Sequence, residues 1–355
     1  MKKKRKGYSL GGTVALAVVF LGLCVAACAF FLWQSAVGGL HLPDPPAAPS
    51  TPAPSAGQTG PEATVPALWR KNDFYNLLLV GRDATGSNTD VMMVVSYDVP
   101  NASLSVMQIP RDTYVTDPIN QQTTKRLNAV YALAYNQAGR QNVPGAQRQK
   151  YALEYLKNVV GNTFGIELHR YVYLDLGAFR QIVDILGGVR LNVGMNMDYD
   201  DPEQNLHIHL KKGWQTLNGT QAEGFVRYRK GYVDGDLGRL DAQKQFLNAL
   251  VEKLLSSQSL PKLPQLANSV YDHLVTDLSL SDLAYFASVL PELDTQKLEM
   301  ATAPGEAYQT AAGAWYYGLY RQECLERINR YHNGFTTPVT GEDMTLTEPV
   351  APSQS

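Results

Sequence analysis

The sequence predicts an α/β fold: a mixed central β-sheet flanked by helices, preceded by one N-terminal transmembrane helix. Three observations carry this. Asn76 to Gly81 (NLLLVG) and Val91 to Tyr97 (VMMVVSY) are short continuous apolar runs, the pattern of strands buried on both faces, which calls for helices on each side of the sheet. Helical periodicity follows at 127–139, 148–164 and 175–186, with strands near 170–174 and 189–193. Gly11 to Trp33 contains no charged residue, and 23 residues at about 1.5 Å each make a helix of about 34 Å, enough to cross a bilayer core.

The N-terminal elements set the topology. Lys2, Lys3, Lys4, Arg5 and Lys6 precede the apolar run and nothing comparable follows closely, so residues 1–10 are predicted to stay in the cytoplasm. Residues 11–33 then span the membrane, and the rest of the chain lies outside the cell membrane. A cleaved signal peptide would have a shorter apolar region ending in a small-x-small site, whereas here the run continues through Phe30, Phe31, Leu32 and Trp33. Between His41 and Pro66 lie eight prolines among Ala, Ser, Thr and Gly, a composition that builds no core, so 34–72 reads as an extracytoplasmic tether. The globular part is read as a core over 73–256 and a C-terminal part over 257–335. The polar, Pro-containing stretch 336–355 reads as a disordered tail.

Within the core, Leu104 to Ile109 is a third strand. It joins the second through Asp98-Val99-Pro100-Asn101, a connection short enough to require an antiparallel hairpin. Several chemistries are excluded. Five of the positive charges sit in residues 2–6, so a chain of net charge −2 carries −7 elsewhere, which disfavours nucleic acid as a partner. Cys24 and Cys28 lie in the apolar run and Cys324 has no evident partner, leaving no disulfide framework or zinc site. Gly81 to Gly86 has the spacing of a phosphate loop, but Ser87-Asn88 stand where Lys-Ser/Thr would grip the phosphates. Ser259-Leu260-Pro261-Lys262 matches SxxK with a proline inside the turn that would align Ser with Lys. His207 and His209 share one face of a strand, consistent with a polar surface or with a metal ligand pair.

Two regions carry candidate chemistry. The hairpin brings Asp90, before its first strand, and Arg111, after its second, to one sheet end, and Asp83 follows the preceding strand almost directly. Carboxylates and a guanidinium in this arrangement suit either an edge salt bridge or a site for a hard cation and phosphate oxygens. In Phe225-Val226-Arg227-Tyr228-Arg229, an extended backbone would aim Arg227 and Arg229 the same way. The helix that follows places Asp236, Arg239 and Gln243 within about 60° of one another, on the face that also carries Leu240, Leu247, Leu250 and Leu254. Asp241, Gln245, Asn248 and Glu252 point away. Inward polar groups need partners, so a shared polar site is expected at the start of this helix.

The motifs LLLVGRD, NTDVMMVVSYD, SLSVMQIPRDTYV, RLNAVYA, LGGVRLNV, LNGTQAEGFVRYR and DGDLGRLDAQKQFLNAL, in this order, resemble the LytR-CpsA-Psr family of envelope glycopolymer ligases. The strong motifs cover about 73–256, and weaker similarity continues to about Phe335. The resemblance implies an Mg²⁺-assisted phosphotransferase. It would move a polymer such as teichoic acid or capsule from undecaprenyl pyrophosphate onto a peptidoglycan hydroxyl, with undecaprenyl phosphate leaving. It implies Asp83 and Asp90 as metal-associated carboxylates, and Arg111, Arg126, Arg227, Arg229 and Arg239 as pyrophosphate-binding cations with Asp236 and Gln243 beside them. It also implies an interior that holds the polyprenyl chain, for which Phe179, Ile182, Leu186, Leu247, Leu250 and Leu254 are the candidate lining. Two departures stand out: Asn88 where the family usually has Arg, and Ala242 where Arg often precedes Gln. A pyrophosphate hydrolase and a non-catalytic envelope regulator are the competing functions.

Overall fold

Period-two alternation along the central strands sends their side chains into two separate cores. The computed structural model describes residues 70–82, 89–117, 119, 125–202, 206–228, 230–232, 236–256, 274–310 and 312–347. Strands β1 (Phe74–Arg82), β2 (Thr89–Asp98) and β3 (Ser103–Ile109) form an antiparallel meander, as the short Asp98–Asn101 connection requires. β4 (Arg170–Asp175) adds parallel to β1, and β9 (Leu274–Thr276) adds antiparallel to β4 at the edge. On the other side β10 (Leu298–Thr302) lies parallel to β3, giving the mixed order β10-β3-β2-β1-β4-β9. Both edge strands come from 257–335, so that segment completes the sheet.

Leu77, Leu79, Met93, Val95, Leu104, Val106 and Val172 project to one face of the sheet. There they meet helices α3 (Leu176–Ile185), α4 (Gly219–Arg227), α5 (Asp236–Leu255) and α6 (Leu280–Val289). Two small antiparallel pairs, β5 (Val189–Val193) with β8 (Gly213–Leu217) and β6 (Met197–Asp201) with β7 (Leu206–Leu210), close this side. Leu78, Val80, Met92, Val94, Met107 and Ile109 project to the opposite face, against α1 (Leu127–Arg140) and α2 (Gly145–Phe164). The prediction of strands buried on both faces holds. Phe179, Ile182, Leu186, Leu247, Leu250 and Leu254 all belong to the first core and are fully buried.

The tail expectation fails. Residues 336–347, read as part of a disordered tail, pack onto the second core through Val339, Met344 and Leu346. Arg321, at the start of α7 (Arg321–Arg327), donates to the carbonyls of Gly341 and Leu346, and Asn329 donates to that of Val339. Three well-spaced apolar side chains in a polar stretch suffice when backbone carbonyls are satisfied in this way. The predicted membrane helix at 11–33, the tether from 34 to 69, and the SxxK match at 259–262 lie outside the described residues. The end of the stretch read as tether is instead tied into the fold: Arg70 bridges to Phe335 and pairs with Glu167, and the Lys71 amide donates to the Gly334 carbonyl. Among the described residues no helix is long and apolar enough to cross a membrane.

Gly219 shows why α3 and α4 pack closely. A Cβ there would lie 2.4 Å from the Arg180 carbonyl oxygen and 2.7 Å from its Cα, and the Gly219 amide donates to Asp184 Oδ1 at 2.7 Å. Gly219→Ala must therefore push two backbones apart. An overpacked interior typically costs about 1 to 3 kcal/mol, read as a lower urea midpoint.

Two histidines make the fold sensitive to acid. Burial holds His332 down to about 3 and His169 down to about 4, although the Asn76 backbone opposes the latter shift. The unfolded chain takes up these protons near pH 6.5, so stability falls as pH drops from about 6.5 toward those folded values. Burial raises Glu167 and Asp277, which act in the opposite sense but only nearer the carboxylate range. The urea midpoint is therefore expected to fall between pH 7 and pH 5, and His332→Asn should give a lower but flatter profile.

Candidate functional site

The register of the meander sets one end of the sheet. Arg82 pairs with Thr89 across a register shift after Gly81, Met92 pairs with Ile109, and Arg82 also aligns with Asp175 of β4. The backbone thus brings Asp90 and Arg111 to the same end, as the hairpin predicts, and Asp83 follows β1 directly at that end in sequence. Asp83 and Arg229 lie outside the described residues. For Asp90, Asp236 and Arg239 the backbone is placed: Asp90 in β2, the other two in the first turn of α5.

Arg111 and Arg126 share a carboxylate that sequence reasoning passed over. Asp112 is buried, with its oxygens 3.9 Å from Arg111 Nε and 3.4 Å from Arg126 Nε. Segment 111–115 is fixed on two sides. The amides of Leu127 and Asn128, at the N-terminus of α1, donate to the carbonyls of Thr113 and Arg111. From the other side the hairpin β11 (Gly305–Gln309) and β12 (Trp315–Leu319) bonds to it through Tyr114 N to Tyr317 O and Tyr317 N to Asp112 O. Arg126 donates from Nε and Nη2 to the Trp315 carbonyl and lies over the Tyr316 ring, so the hairpin holds this guanidinium in place.

The second group forms where α4 ends. Sequence reasoning treated Phe225–Arg229 as extended, but Phe225, Val226 and Arg227 are helical and only Tyr228 turns extended, as the C-cap. The decisive signal is local. Asn218 accepts from the Gln221 amide at 2.9 Å while the Gln221 side chain accepts from the Asn218 amide at 3.0 Å, a capping box that starts a helix running through Arg227. Gln243, fully buried on α5, donates from Nε2 to the Val226 carbonyl at 3.0 Å and so satisfies a helix-end acceptor next to Arg227. Its Oε1 is buried without a hydrogen-bond partner. The predicted helical phase holds for Leu247, Leu250 and Leu254, which are buried with Gln243, and for Asp241, Gln245 and Glu252, which are exposed. Asn248, predicted to point away, is half-buried with its Oδ1 enclosed.

Glu223 is the residue that sequence reasoning missed here. It lies one turn before Arg227, its side chain only 6% exposed, and its two oxygens accept from Arg227 Nη1 at 2.6 Å and Arg180 Nη1 at 2.8 Å.

His207 and His209 lie exposed on β7, as their alternation predicts. Their Nδ1 atoms meet Asp200 Oδ1 at 2.5 Å and Asp198 Oδ1 at 2.6 Å, and the bond to Asp198 is the largest effect raising His209 above its ordinary range. Among the described residues no group of three His, Cys, Asp or Glu side chains is placed to hold a metal ion. Cys324 is buried and free.

A family model described as the LytR_cpsA_psr family matches residues 50–332. The chain belongs to this family. TagV of Bacillus subtilis (strain 168), named a polyisoprenyl-teichoic acid–peptidoglycan teichoic acid transferase, is 26% identical over 243 residues, covering 68% of this chain and 58% of TagV. The chain therefore matches little more than half the length of that relative. TagU of Oceanobacillus iheyensis (strain DSM 14371 / CIP 107618 / JCM 11309 / KCTC 3954 / HTE831), with the same transferase name, is 28% identical over 269 residues, 74% of this chain and 76% of TagU. Among solved structures, that of B. subtilis TagV superposes with a TM-score of 0.54 at 22% identity, over 72% of this chain and 94% of that one. TagT bound to LIIa-WTA superposes at 0.54 and 24% identity, over 75% and 92%. At these identities the structures establish a shared LytR_cpsA_psr fold, with the central mixed sheet between helices that the sequence predicts.

Proposed function

We propose that this chain is a membrane-anchored, extracytoplasmic phosphotransferase. It moves an undecaprenyl-pyrophosphate-linked glycopolymer, teichoic acid, capsule or similar, onto a peptidoglycan hydroxyl and releases undecaprenyl phosphate. The observation that carries the reading is Arg227, a guanidinium held inside the protein at a helix end by the buried Glu223 carboxylate. A buried ion pair is seldom kept for stability alone, and a fixed planar guanidinium suits a phosphate ligand. The transferase names of the relatives support the substrate class.

The acceptor hydroxyl oxygen attacks the phosphorus that carries the polymer, and the bond from that phosphorus to the bridging oxygen breaks. The departing lipid phosphate gains negative charge. Arg111, Arg227, Arg229 and Arg239 neutralise that charge and hold the group in line, and Arg126, held by the hairpin, adds to the binding charge. The hydroxyl proton passes to a carboxylate, with Asp83 and Asp90 the candidate acceptors at the sheet end. Their hard oxygen donors suit magnesium, which when bound would supply further positive charge to the phosphate oxygens. The polyprenyl chain is assigned to the first core, where the apolar faces of α3 and α5 meet.

The test is to incubate the full chain in detergent with a lipid-linked pyrophosphoryl oligosaccharide and peptidoglycan, with and without a chelator, and to follow the phosphorus. A chelator-sensitive phosphodiester on the glycan is the expected product. Phosphate given to water would establish the hydrolase instead, and no turnover would leave the regulator. The anchor is checked separately: protease added outside protoplasts should release the folded domain by cutting between residues 34 and 69.

A further inference from the structure

Arg227 lies on α4 among Ala222, Phe225 and Val226, all fully or almost fully buried in the first core. A long cationic side chain in such surroundings keeps one orientation only if something fixes it. Glu223 does so from the turn below. An exposed pair four residues apart on a helix is worth a few tenths of a kcal/mol and is a common surface ornament. This pair differs, since the side chains of both partners are less than a tenth exposed. Buried ion pairs are often no more stable than apolar residues of the same volume, so stability alone gives little reason to keep one. The carboxylate is also held from its far side, because Arg180 on α3 donates to its other oxygen. That side chain is 44% exposed, so the chain of charges runs from solvent inward: Arg180, Glu223, Arg227. The close approach at Gly219, where the Arg180 backbone touches the start of α4, fixes the spacing of the two helices that carry it. Gln243 then holds the Val226 carbonyl, so both the backbone and the side chain at this helix end are fixed.

We propose that Glu223 is a positioning residue for phosphate binding: with Arg180 behind it, it sets the Arg227 guanidinium for the pyrophosphate of the lipid-linked donor. This rests on the transferase reading above and adds to it the device that orients one of its cations. Glu223 does not touch the substrate. It works through Arg227.

The experiment uses the full chain in detergent micelles, with inorganic pyrophosphate and Mg²⁺ as the probe, and a double-substitution cycle. Glu223→Gln keeps the shape and one acceptor but removes the charge. It should weaken pyrophosphate binding by roughly tenfold, the scale of a charge-assisted hydrogen bond. Arg227→Ala should weaken it at least as much, and the double variant should bind no worse than Arg227→Ala alone. Arg180→Ala should give a smaller loss that Arg180→Lys largely restores. In the ¹⁵N spectrum the Arg227 Nη groups should rotate slowly in the wild type and freely in Glu223→Gln. Normal pyrophosphate binding by Glu223→Gln, or losses from Glu223→Gln and Arg227→Ala that add in full, would overturn the positioning role and leave the transferase reading standing. A wild type that binds no pyrophosphate would overturn both.

Discussion

Arg227→Ala is expected to lower the transfer rate by about 10²- to 10³-fold, the scale seen when one fixed donor to developing charge is removed. It should also lower the melting temperature, because Glu223 is left buried with only the half-exposed Arg180 guanidinium beside it in place of two. The two losses have different causes and can be separated. Replacing Glu223 as well removes the stranded carboxylate, so Glu223→Ala/Arg227→Ala should regain stability without regaining transfer. Arg227→Lys keeps the charge but loses the planar fork, and an intermediate rate is expected. Asp241→Ala, on the exposed face of α5, should leave both rate and stability unchanged. If Arg227→Ala transferred normally while melting lower, its role would be structural and the proposed site would be wrong.

What was legible followed from periodicity. The apolar runs at 76–81 and 91–97 have no polar face to misplace, so their burial, their helical cover and the hairpin to β3 could be read directly. The inward face of α5 was legible because twenty residues give the phase many chances to show itself. Arg227 was harder. Val-Arg-Tyr-Arg alternates like a strand, and the evidence against it lies in Asn218 and Gln221, at the other end of the helix. Glu223 could not be found by pattern, since a glutamate on a helix ordinarily faces water and only the packing of α3 against α4 encloses it. Asp112 was hidden similarly, by a hairpin some two hundred residues away that returns to segment 111–115. In the tail, composition concealed the packing of Val339, Met344 and Leu346, because polar content says nothing about carbonyls that Arg321 and Asn329 will satisfy.

The largest loss of stability is expected from Asn76→Leu, at the end of β1 opposite the site. Asn76 is fully buried on β1 and ties three elements together. Its Nδ2 donates to the carbonyls of Glu167 and His332, both at 3.0 Å, and its Oδ1 accepts from Ser96 Oγ on β2 at 2.6 Å. The Ser96 hydroxyl has one proton and gives it to Asn76, so the 2.6 Å contact between Ser96 Oγ and His332 Nδ1 requires the proton on Nδ1 of a neutral ring. That agrees with the depressed pKa of His332 and leaves its Nε2 as a buried acceptor without a partner. Leucine at 76 is similar in volume but removes two donors and an acceptor. Ser96 can turn its proton to Nδ1 only if the ring gives up its own to Nε2, which has no acceptor waiting. Two carbonyls and one side-chain group would lose their partners at about 1 to 3 kcal/mol each, so a loss of roughly 3 kcal/mol or more is expected from a total of about 5 to 15. In a chain of this size each kcal/mol lowers the melting temperature by about 1 to 2 °C, giving a drop of at least about 3 °C. From Asn76 to Arg82 is about 20 Å along the strand, so below the new melting point the folded variant should transfer at the wild-type rate. Adding Ser96→Ala should not recover the loss, because it removes the acceptor of the His332 Nδ1 proton together with the stranded hydroxyl. A melting temperature unchanged in Asn76→Leu would mean that the network holds no stability.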